Sequence, residues 1–565
     1  MAPRAGRDGP VRQGEAADGA YFVVSGRLRV STLADDGEAE RILAEIGPGQ
    51  PVGELALLTD EPRSATVLAV RDSIVVRVAT AVFDSLMRTE PASVLALARR
   101  VAQRLVGATR AGARPLVTPV STVAVVAAGP DVDLGGFVEG LRGALDRRAP
   151  TRLVRAADVA TDPDTMLANL MDDQDHVGGV TLLQAEDAGS EWAARCLRQA
   201  DRVLVVANPS GSPDLGPAGR ALGDLDRSGV APRTELVMVQ PPWQNEPHGT
   251  GRWLRLRPFD DHHHVRAGDE AGCERLARGL LGRSIGLVLG GGGARAAAHI
   301  GVYRALVEAG LPVDRVGGAS IGGLASAQIA AGWTAERMEE VNNREWNRAQ
   351  IGRRLTLPLI SVLSVRTAMP MFEAMFGERD LEDLWLPCFV ATADLTGCRL
   401  VAMRHGRISR WVCATASPPG VWPPVVDEHG NLFVDGAVLD NLPVDPMRGQ
   451  GAGRIIAVNV SRAESMIAAA GIDKAPSPLE YLRRRLRSRD EEPFPTIVKL
   501  LWRTSVVTSL ARQGDARAHS DLFLEPSVDE FGLTDYRHIP QIVAAGYDCA
   551  RRALGDHPDL VAAWT

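Results

Sequence analysis

The sequence predicts a multidomain chain: an N-terminal β-roll or barrel with a C-terminal helix, an α/β middle domain, and a second α/β domain with a helical tail. Three observations carry that prediction. Residues 20–78 hold short β-rich runs punctuated by Gly, Asp and Pro. From residue 121 continuous apolar runs alternate with helical stretches, and near Ser284 a strand, four glycines and a helix open a further unit. The length agrees, since 565 residues exceed what one hydrophobic core organises.

In the first domain, Ala20-Tyr-Phe-Val-Val, Arg27-Leu-Arg-Val and Ser73-Ile-Val-Val-Arg-Val read as strands. A helical pattern runs from about Ala81 through Gly107, with Leu95, Leu97, Val101 and Leu105 on one apolar face, and Ala111-Gly-Ala-Arg-Pro breaks it. These features place the first domain at 1–110 and a linker at 111–121. In the middle domain, 122–282, the segments Val123-Ala-Val-Val-Ala-Ala, Val203-Leu-Val-Val-Ala and Glu235-Leu-Val-Met-Val are apolar throughout, as parallel strands covered on both faces are. This domain has no G-x-x-x-x-G-K-[ST], so nucleotide hydrolysis is not expected there. His262, His263 and His264 are adjacent and point in different directions, which suits a structural or interdomain role and not a metal pair. The third domain occupies 283–462, and 463–565 is read as a helical tail completing it.

Composition excludes several function classes. A net charge of -7 and a pI near 6.0 give no polyelectrolyte signal, so nucleic acid is not expected as a partner. The 6 cysteines are scattered without a C-x-x-C pair, which argues against a disulfide framework or a zinc module, and no metal site is expected. No apolar run reaches the ~18 residues of a membrane span, and the first thirty residues lack a signal-peptide core. The expectation is a cytoplasmic protein, in at most peripheral contact with the inner membrane surface.

The chemistry concentrates between Ile285 and Gly322. Ile285-Gly-Leu-Val-Leu reads as a strand, Gly290-Gly-Gly-Gly as a loop, and Ala294 to Ala309 as a helix closed by Gly310. Successive glycines can turn several backbone N–H groups toward one anion at a helix N-terminus. A dinucleotide phosphate loop also fits Gly291-x-Gly293-x-x-Ala296, but that fold needs an acidic residue at the end of the next strand. Here the next strand ends in Gly318-Ala-Ser320-Ile-Gly322. G-x-S-x-G sets a serine on a strained strand-to-helix turn, and the flanking strand Val313 to Ala319 and helix Ile321 to Gly332 supply that context. Ser320 is therefore the candidate nucleophile. The candidate base is Asp435, in Leu432-Phe-Val-Asp435-Gly436-Ala437, where a strand leads into a small-residue turn. An aspartate that merely caps the turn is the competing reading.

Gly290-Gly-Gly-Gly-Ala-Arg295, Gly318-Ala-Ser-Ile-Gly322 and Asp435-Gly-Ala437 together resemble the three motifs of patatin-like phospholipases, in the same order, between about 285 and 460. The resemblance implies a Ser–Asp dyad without histidine, in which Asp435 takes the proton of Ser320. It also implies an oxyanion hole at Gly290, Gly291, Gly292, Gly293, Ala294 and Arg295. The position after Arg295, often glycine in that family, is Ala296 here. A Ser–Asp–His triad using His519 or His538 has the right chain order and is the competing arrangement.

Gly53-Glu54-Leu55-Ala56-Leu57, followed by Pro62-Arg63-Ser64-Ala65-Thr66, resembles the phosphate-binding cassette of cyclic-nucleotide-binding domains. The resemblance implies that Arg63 pairs with a cyclic phosphate, that Glu54 accepts a ribose hydroxyl, that N–H groups around Leu55, Ala56 and Ser64 complete the cradle, and that Gly53 belongs to the same nucleotide-binding set. Cyclic AMP or cyclic GMP is then the candidate effector. Such domains usually carry a helix and a strand before the segment matching Gly19 to Val30, so the domain reads as N-terminally truncated.

The order of these parts, with Thr250-Gly-Arg-Trp253 and His262-His-His-Val-Arg266 in the middle domain, is similar to the neuropathy target esterase family. That likeness implies a serine esterase acting on phospholipids or lysophospholipids, needing no cofactor for catalysis. The competing class is a catalytically inactive, cyclic-nucleotide-responsive regulatory or lipid-binding protein. Two tail segments bear on membrane contact. Tyr481 to Arg489 is basic but is followed at once by Asp490, Glu491 and Glu492, and Phe494 to Leu510 suits either a lid or a core helix.

Overall fold

The computed structural model describes residues 11–33, 40–47, 49–59, 61–70, 73–89, 120–159, 179–186, 190–228, 232–349, 359–461, 475–477, 479–481, 483 and 497–564. The chain divides into two compact units, Met1–Arg283 and Ser284–Thr565.

The first unit begins with two small antiparallel sheets. Strands β1 (Gly19–Ser25), β4 (Pro51–Val52) and β6 (Ile74–Ala79) form one, in the order β4-β1-β6. Strands β2 (Leu28–Leu33), β3 (Glu40–Ile46) and β5 (Thr66–Ala69) form the other, in the order β3-β2-β5. Alternating side chains close the roll on a core of Val11, Tyr21, Val23, Leu28, Ile46, Val52 and Val67. The helix Glu54–Thr59 carries the cassette and the helix Thr80–Thr89 follows β6. The rest of the predicted helix, with Leu95, Leu97, Val101 and Leu105, lies outside the described residues.

The middle domain is a six-stranded, wholly parallel sheet. Its strands are β7 (Thr122–Ala127), β8 (Thr151–Val154), β9 (Val180–Ala185), β10 (Arg202–Ala207), β11 (Arg233–Gln240) and β12 (Asp261–Arg266), in the order β12-β11-β10-β7-β9-β8. Helices Leu134–Asp146 and Glu270–Leu280 cover one face, and Glu191–Gln199 and Gly216–Ser228 the other. Apolar cover on both sides is why these strands read as unbroken hydrophobic runs. In the loop after β7, where a phosphate loop would stand, the Asp133 carboxylate accepts the Gly136 N–H at 2.9 Å and occupies the helix N-terminus itself.

Buried charge in this sheet is paired. Glu235 sits between the Arg202 guanidinium at 2.9 Å and His263 Nε2 at 3.0 Å. Burial alone would raise the Glu235 carboxyl, but Arg202 and then His263 outweigh it and hold the group well below the usual carboxylate range. His264, facing the other way, accepts from Gln240 Nε2 through Nδ1 and meets the Thr250 hydroxyl through Nε2, both at 3.2 Å. The histidine triplet is therefore built into the sheet. Among the described residues no cluster of side chains has the makings of a metal site.

The second unit is organised on one eight-stranded mixed sheet. Parallel strands β13 (Ile285–Leu289), β14 (Arg315–Ala319), β15 (Cys388–Asp394), β19 (Arg454–Val458) and β20 (Leu522–Leu524) form its body. Strands β16 (Arg399–Met403), β17 (Val425–Val426) and β18 (Leu432–Asp435) join antiparallel. The order is β17-β18-β15-β14-β13-β19-β20, with β16 also on β15. The tail thus supplies a strand as well as helices. Its helix Ile539–Asp556 crosses Ala298–Glu308 so closely that a Cβ on Gly301 would stand 1.9 Å from the Val543 carbonyl oxygen. No helix among the described residues is long and apolar enough to cross a membrane.

The sheet register sets up the site. Ala319, the last residue of β14, lies level with Ala391, while Thr392 pairs with Asp435 across β15 and β18. Residues 320 and 435 are thereby brought to the same edge and the same depth.

Candidate active site

Ser320 has φ 55, one of two non-glycine residues in the positive-φ region among those described. Such a conformation costs on the order of 1–3 kcal/mol and persists only where its surroundings over-determine it. They do so here. The Ser320 N–H donates to Thr415 Oγ1 at 2.8 Å, and that hydroxyl donates to the Ala391 carbonyl at 2.5 Å. The elbow is thereby tied to the helix Ile408–Thr415 and to β15. A Cβ on Gly318 or Gly322 would fall 2.3 or 2.2 Å from the Leu289 carbonyl oxygen, which is why small residues flank the serine.

Asp435 is completely buried at the end of β18. Its Oδ1 accepts the Ala437 N–H at 2.9 Å, and its Oδ2 has no partner at standard hydrogen-bond geometry. Burial pushes the carboxyl up to about 7, against the opposing pull of the Ala437 N–H and the Ser320 hydroxyl. The turn-cap reading is met by Oδ1, which leaves Oδ2 unengaged by that cap.

The glycine loop is held from several sides. The Gly290 N–H donates to Val458 O, Gly291 to Asn441 Oδ1 at 3.0 Å, Ala294 to Leu533 O and Arg295 to Gly292 O. The N–H groups of Gly292, Gly293 and Ile321 have no acceptor among the described residues. Gly293 has φ 57, and a Cβ there would strike the Leu533 carbonyl at 2.2 Å. A Cβ on Gly291 would lie 2.5 Å from Ser320 Cβ, so the loop packs directly against the serine. Of the six residues assigned to an oxyanion site, Gly292 and Gly293 keep their donors open. The Arg295 side chain runs elsewhere, with Nε donating to Phe531 O at 2.6 Å and a terminal nitrogen to Asp529 O at 3.0 Å.

Sequence reasoning passed over the residues that hold this loop. Asn441 accepts from the Gly291 N–H and donates back to the Gly291 carbonyl at 3.2 Å. The Ser461 hydroxyl donates to the same carbonyl at 2.6 Å. His299 is fully buried, and burial drives its pKa down to about 4, so it is neutral and donates from Nε2 to the Gly290 carbonyl at 2.7 Å. Asn441 carries a legible signal in hindsight, an Asn-Leu-Pro shortly after Asp435-Gly-Ala437. His519 and His538 are half-exposed and are taken up by Asp445 at 3.4 Å and Asp535 at 2.8 Å.

The cassette of the first unit comes together as one turn and helix. Gly53 has φ 79, Glu54 and Arg63 are buried, and Leu55 and Ser64 are exposed on either side. Ala56 is buried in the helix beneath them. The Arg63 guanidinium donates to the Gly53 carbonyl at 2.7 Å, the Gly19 carbonyl at 2.6 Å and Asp18 Oδ1 at 2.8 Å. Arg63 and the Tyr21 hydroxyl hold the Asp18 carboxyl below its ordinary value although burial opposes them.

Three family models match, each to its own stretch of the chain. Residues 10–90 match the cyclic nucleotide-binding domain, 119–279 the neuropathy target esterase family P-loop-like domain, and 287–448 the patatin-like phospholipases. The chain is 32% identical to neuropathy target esterase sws of Drosophila melanogaster over 601 aligned positions, covering 95% of this chain and 41% of that protein. It is 31% identical to patatin-like phospholipase domain-containing protein 7 of Rattus norvegicus, covering 95% and 44%. To protein 6 of the same description from Homo sapiens it is 30% identical, covering 96% and 44%. The chain therefore spans less than half the length of these relatives. It carries a cyclic nucleotide-binding domain, a P-loop-like domain of the neuropathy target esterase type and a patatin-like phospholipase domain, in that order.

Asn441 is a buried amide whose loss leaves the Gly291 peptide without two of its hydrogen bonds. Asn441→Ala should lower the unfolding free energy by about 1–3 kcal/mol, read as a shift of the urea midpoint with unchanged slope. A midpoint equal to that of the unsubstituted protein would mean the clamp contributes nothing.

Proposed function

We propose that the chain is a serine esterase hydrolysing acyl esters of phospholipids or lysophospholipids through a Ser320–Asp435 dyad. The observation that carries this reading is the fully buried Asp435 carboxyl, which interacts with the Ser320 hydroxyl and is pushed up to about 7. A carboxyl poised there can both accept and return a proton near neutrality. As carboxylate, Asp435 takes the Ser320 proton while Oγ attacks the acyl carbonyl. The open N–H groups of Gly292 and Gly293, with that of Ile321, would meet the resulting oxyanion, each donor being worth roughly 3–4 kcal/mol in comparable hydrolases. Protonated Asp435 then donates to the departing alkoxide, and water cleaves the acyl-enzyme by the same steps in reverse. No step calls for a cofactor. Engagement of His519 and His538 with other carboxylates supports a dyad over a triad. The match to patatin-like phospholipases and the names of the relatives support a lipid ester as substrate.

The proposed domain division remains 1–110, 122–282, 283–462 and 463–565, joined by the 111–121 linker. Cyclic AMP or cyclic GMP is the proposed effector, its cyclic phosphate meeting Arg63, which Asp18 now neutralises. Peripheral membrane contact is proposed at the rim of the catalytic sheet edge. Leu395, Val426 and Leu432 are 45%, 49% and 39% exposed there. They are joined by the Leu395 N–H to the Leu432 carbonyl at 2.8 Å and by the pairing of Val426 with Leu432. Leu432 lies three residues outward of Asp435, about 10 Å at 3.3 Å per residue. Of the basic tail segment only Tyr481 and Arg483 fall among the described residues, so the rim carries this proposal.

Purified protein should release fatty acid from lysophosphatidylcholine, and Ser320→Ala should abolish release and labelling by a fluorophosphonate. kcat/KM should rise with pH through about 7, because only ionised Asp435 accepts the proton. Release undiminished in Ser320→Ala, or flat between pH 5 and 9, would refute the dyad; a Ser320 inert to the probe would leave the inactive regulator as the better reading.

For the effector, calorimetry should show binding of cyclic AMP or cyclic GMP that Arg63→Ala weakens at least about tenfold, the loss of roughly one charged hydrogen bond. No heat from either nucleotide at millimolar concentration would remove that role. For the membrane, the protein should float with anionic vesicles, and Leu395→Ser with Leu432→Ser should reduce the floated fraction; equal flotation would move the contact away from the rim.

A further inference from the structure

A half-open cleft begins beside the glycine loop. Gly293 and Ile321, two of the three residues whose N–H groups would meet the oxyanion, are among its lining residues. From there Ile321, Leu324, Ala325 and Gln328 line it in turn. Their spacing places them on one face of the helix Ile321–Ala330. Ile300 and Ile539 line it as well. The cleft therefore runs along the helix, away from the nucleophile, between apolar side chains.

At its far end the character changes. Gln328 and Asn342, both buried, hold each other through two reciprocal amide hydrogen bonds of 3.2 and 3.0 Å. Beside them the Trp346 and Tyr536 rings stack with centroids 4.2 Å apart and planes 6° from parallel. Both rings line the cleft. The amides satisfy one another and so need no ligand. An alkyl chain pushed between them would break both bonds and leave buried polar atoms without partners, which is costly.

We propose that this cleft is the acyl slot of the esterase, and that the Gln328–Asn342 pair with the Trp346–Tyr536 stack forms its end wall. The proposal rests on the esterase reading and adds to it the side chains that measure the substrate. From Ile321 to Gln328 is seven residues, about 10 Å at the helical rise. An extended alkyl chain advances about 1.25 Å per carbon at tetrahedral geometry, so the wall stands about eight carbons from the reacting carbonyl. The cleft is narrow at rest, with room for about one water, so an entering chain displaces wall side chains up to that limit. Longer chains reach past it only if the rings part.

The test is the chain-length profile of the full chain on p-nitrophenyl esters from acetate to palmitate. In the unsubstituted protein kcat/KM should climb with length to about eight carbons and then level or fall. Trp346→Ala should shift the optimum to longer chains. Ala325→Phe, which fills the slot near its middle, should lower the ratio of octanoate to acetate turnover at least about tenfold, as a blocked apolar pocket does. Ala325→Phe keeps the test open if Trp346→Ala fails to fold. Variants that fold, label at Ser320 at the normal rate and keep the original profile would overturn the slot alone. A chain whose Ser320 does not label would overturn the esterase reading, and the slot with it.

Discussion

A carboxyl group cut off from water stands at the end of β18, and the geometry of the second unit follows from the need to hold it there. Strand β18 is only four residues long and runs against β15. Its register sets Asp435 opposite Thr392, level with the elbow that ends β14. A slip of one residue would turn the carboxyl to the opposite face of the sheet. The turn that follows is pressed onto β15 as well, since a Cβ on Gly436 would lie 2.4 Å from the Ala391 carbonyl oxygen. Strand, register and turn together leave Asp435 one bonded and one unbonded oxygen.

The glycine loop needs the opposite kind of support. Its peptides carry no side chains of their own, so other segments fix them: Asn441 and Ser461 on Gly291, His299 on Gly290, Leu533 on Ala294. The Asn441 backbone N–H is in turn received by Ser509, on the helix Ile497–Ala511. Donors held this way need little reorganisation when charge appears before them, which is where preorganised sites gain most. Ser461, Ser509, Asp529, Phe531 and Leu533 are therefore part of the loop's support. The Arg295 side chain, bonded to the carbonyls of Asp529 and Phe531, is part of the same tie between loop and tail.

Where function depends on a local conformation, the sequence announced it. Gly318-Ala-Ser320-Ile-Gly322 reads as an elbow because only small residues clear the Leu289 carbonyl, and that constraint is local. The parallel sheet of the middle domain was legible for a related reason, since strands covered on both faces have no polar side to show. The end wall of the slot was not legible. Gln328 and Asn342 are ordinary polar residues of two helices, and their pairing exists only because those helices meet. Asn441 and Gly291 lie 150 residues apart, so no spacing rule links them. The tail strand β20 escaped notice for another reason: three residues have too little pattern of their own. Arg295 shows the limit of motif reasoning, which located its backbone while its side chain turned to the tail.

The two units carry buried carboxyls shifted in opposite directions, and this sets how each responds to pH. Glu235 is held low by Arg202 and His263, so its contribution to stability is present above the ordinary carboxylate range and is lost as pH falls through its depressed value. Asp435 is raised from 3.8 to about 7, so the fold favours its neutral form. That preference stabilises fully below the ordinary value and is lost as pH rises through 7. The carboxylate that the proposed mechanism requires is thus the form the fold holds less well. The elbow at Ser320 adds its backbone strain on the same side of the balance. Both burdens fall on β14 and β15, two of the most deeply buried strands of the sheet, whose packing can absorb them.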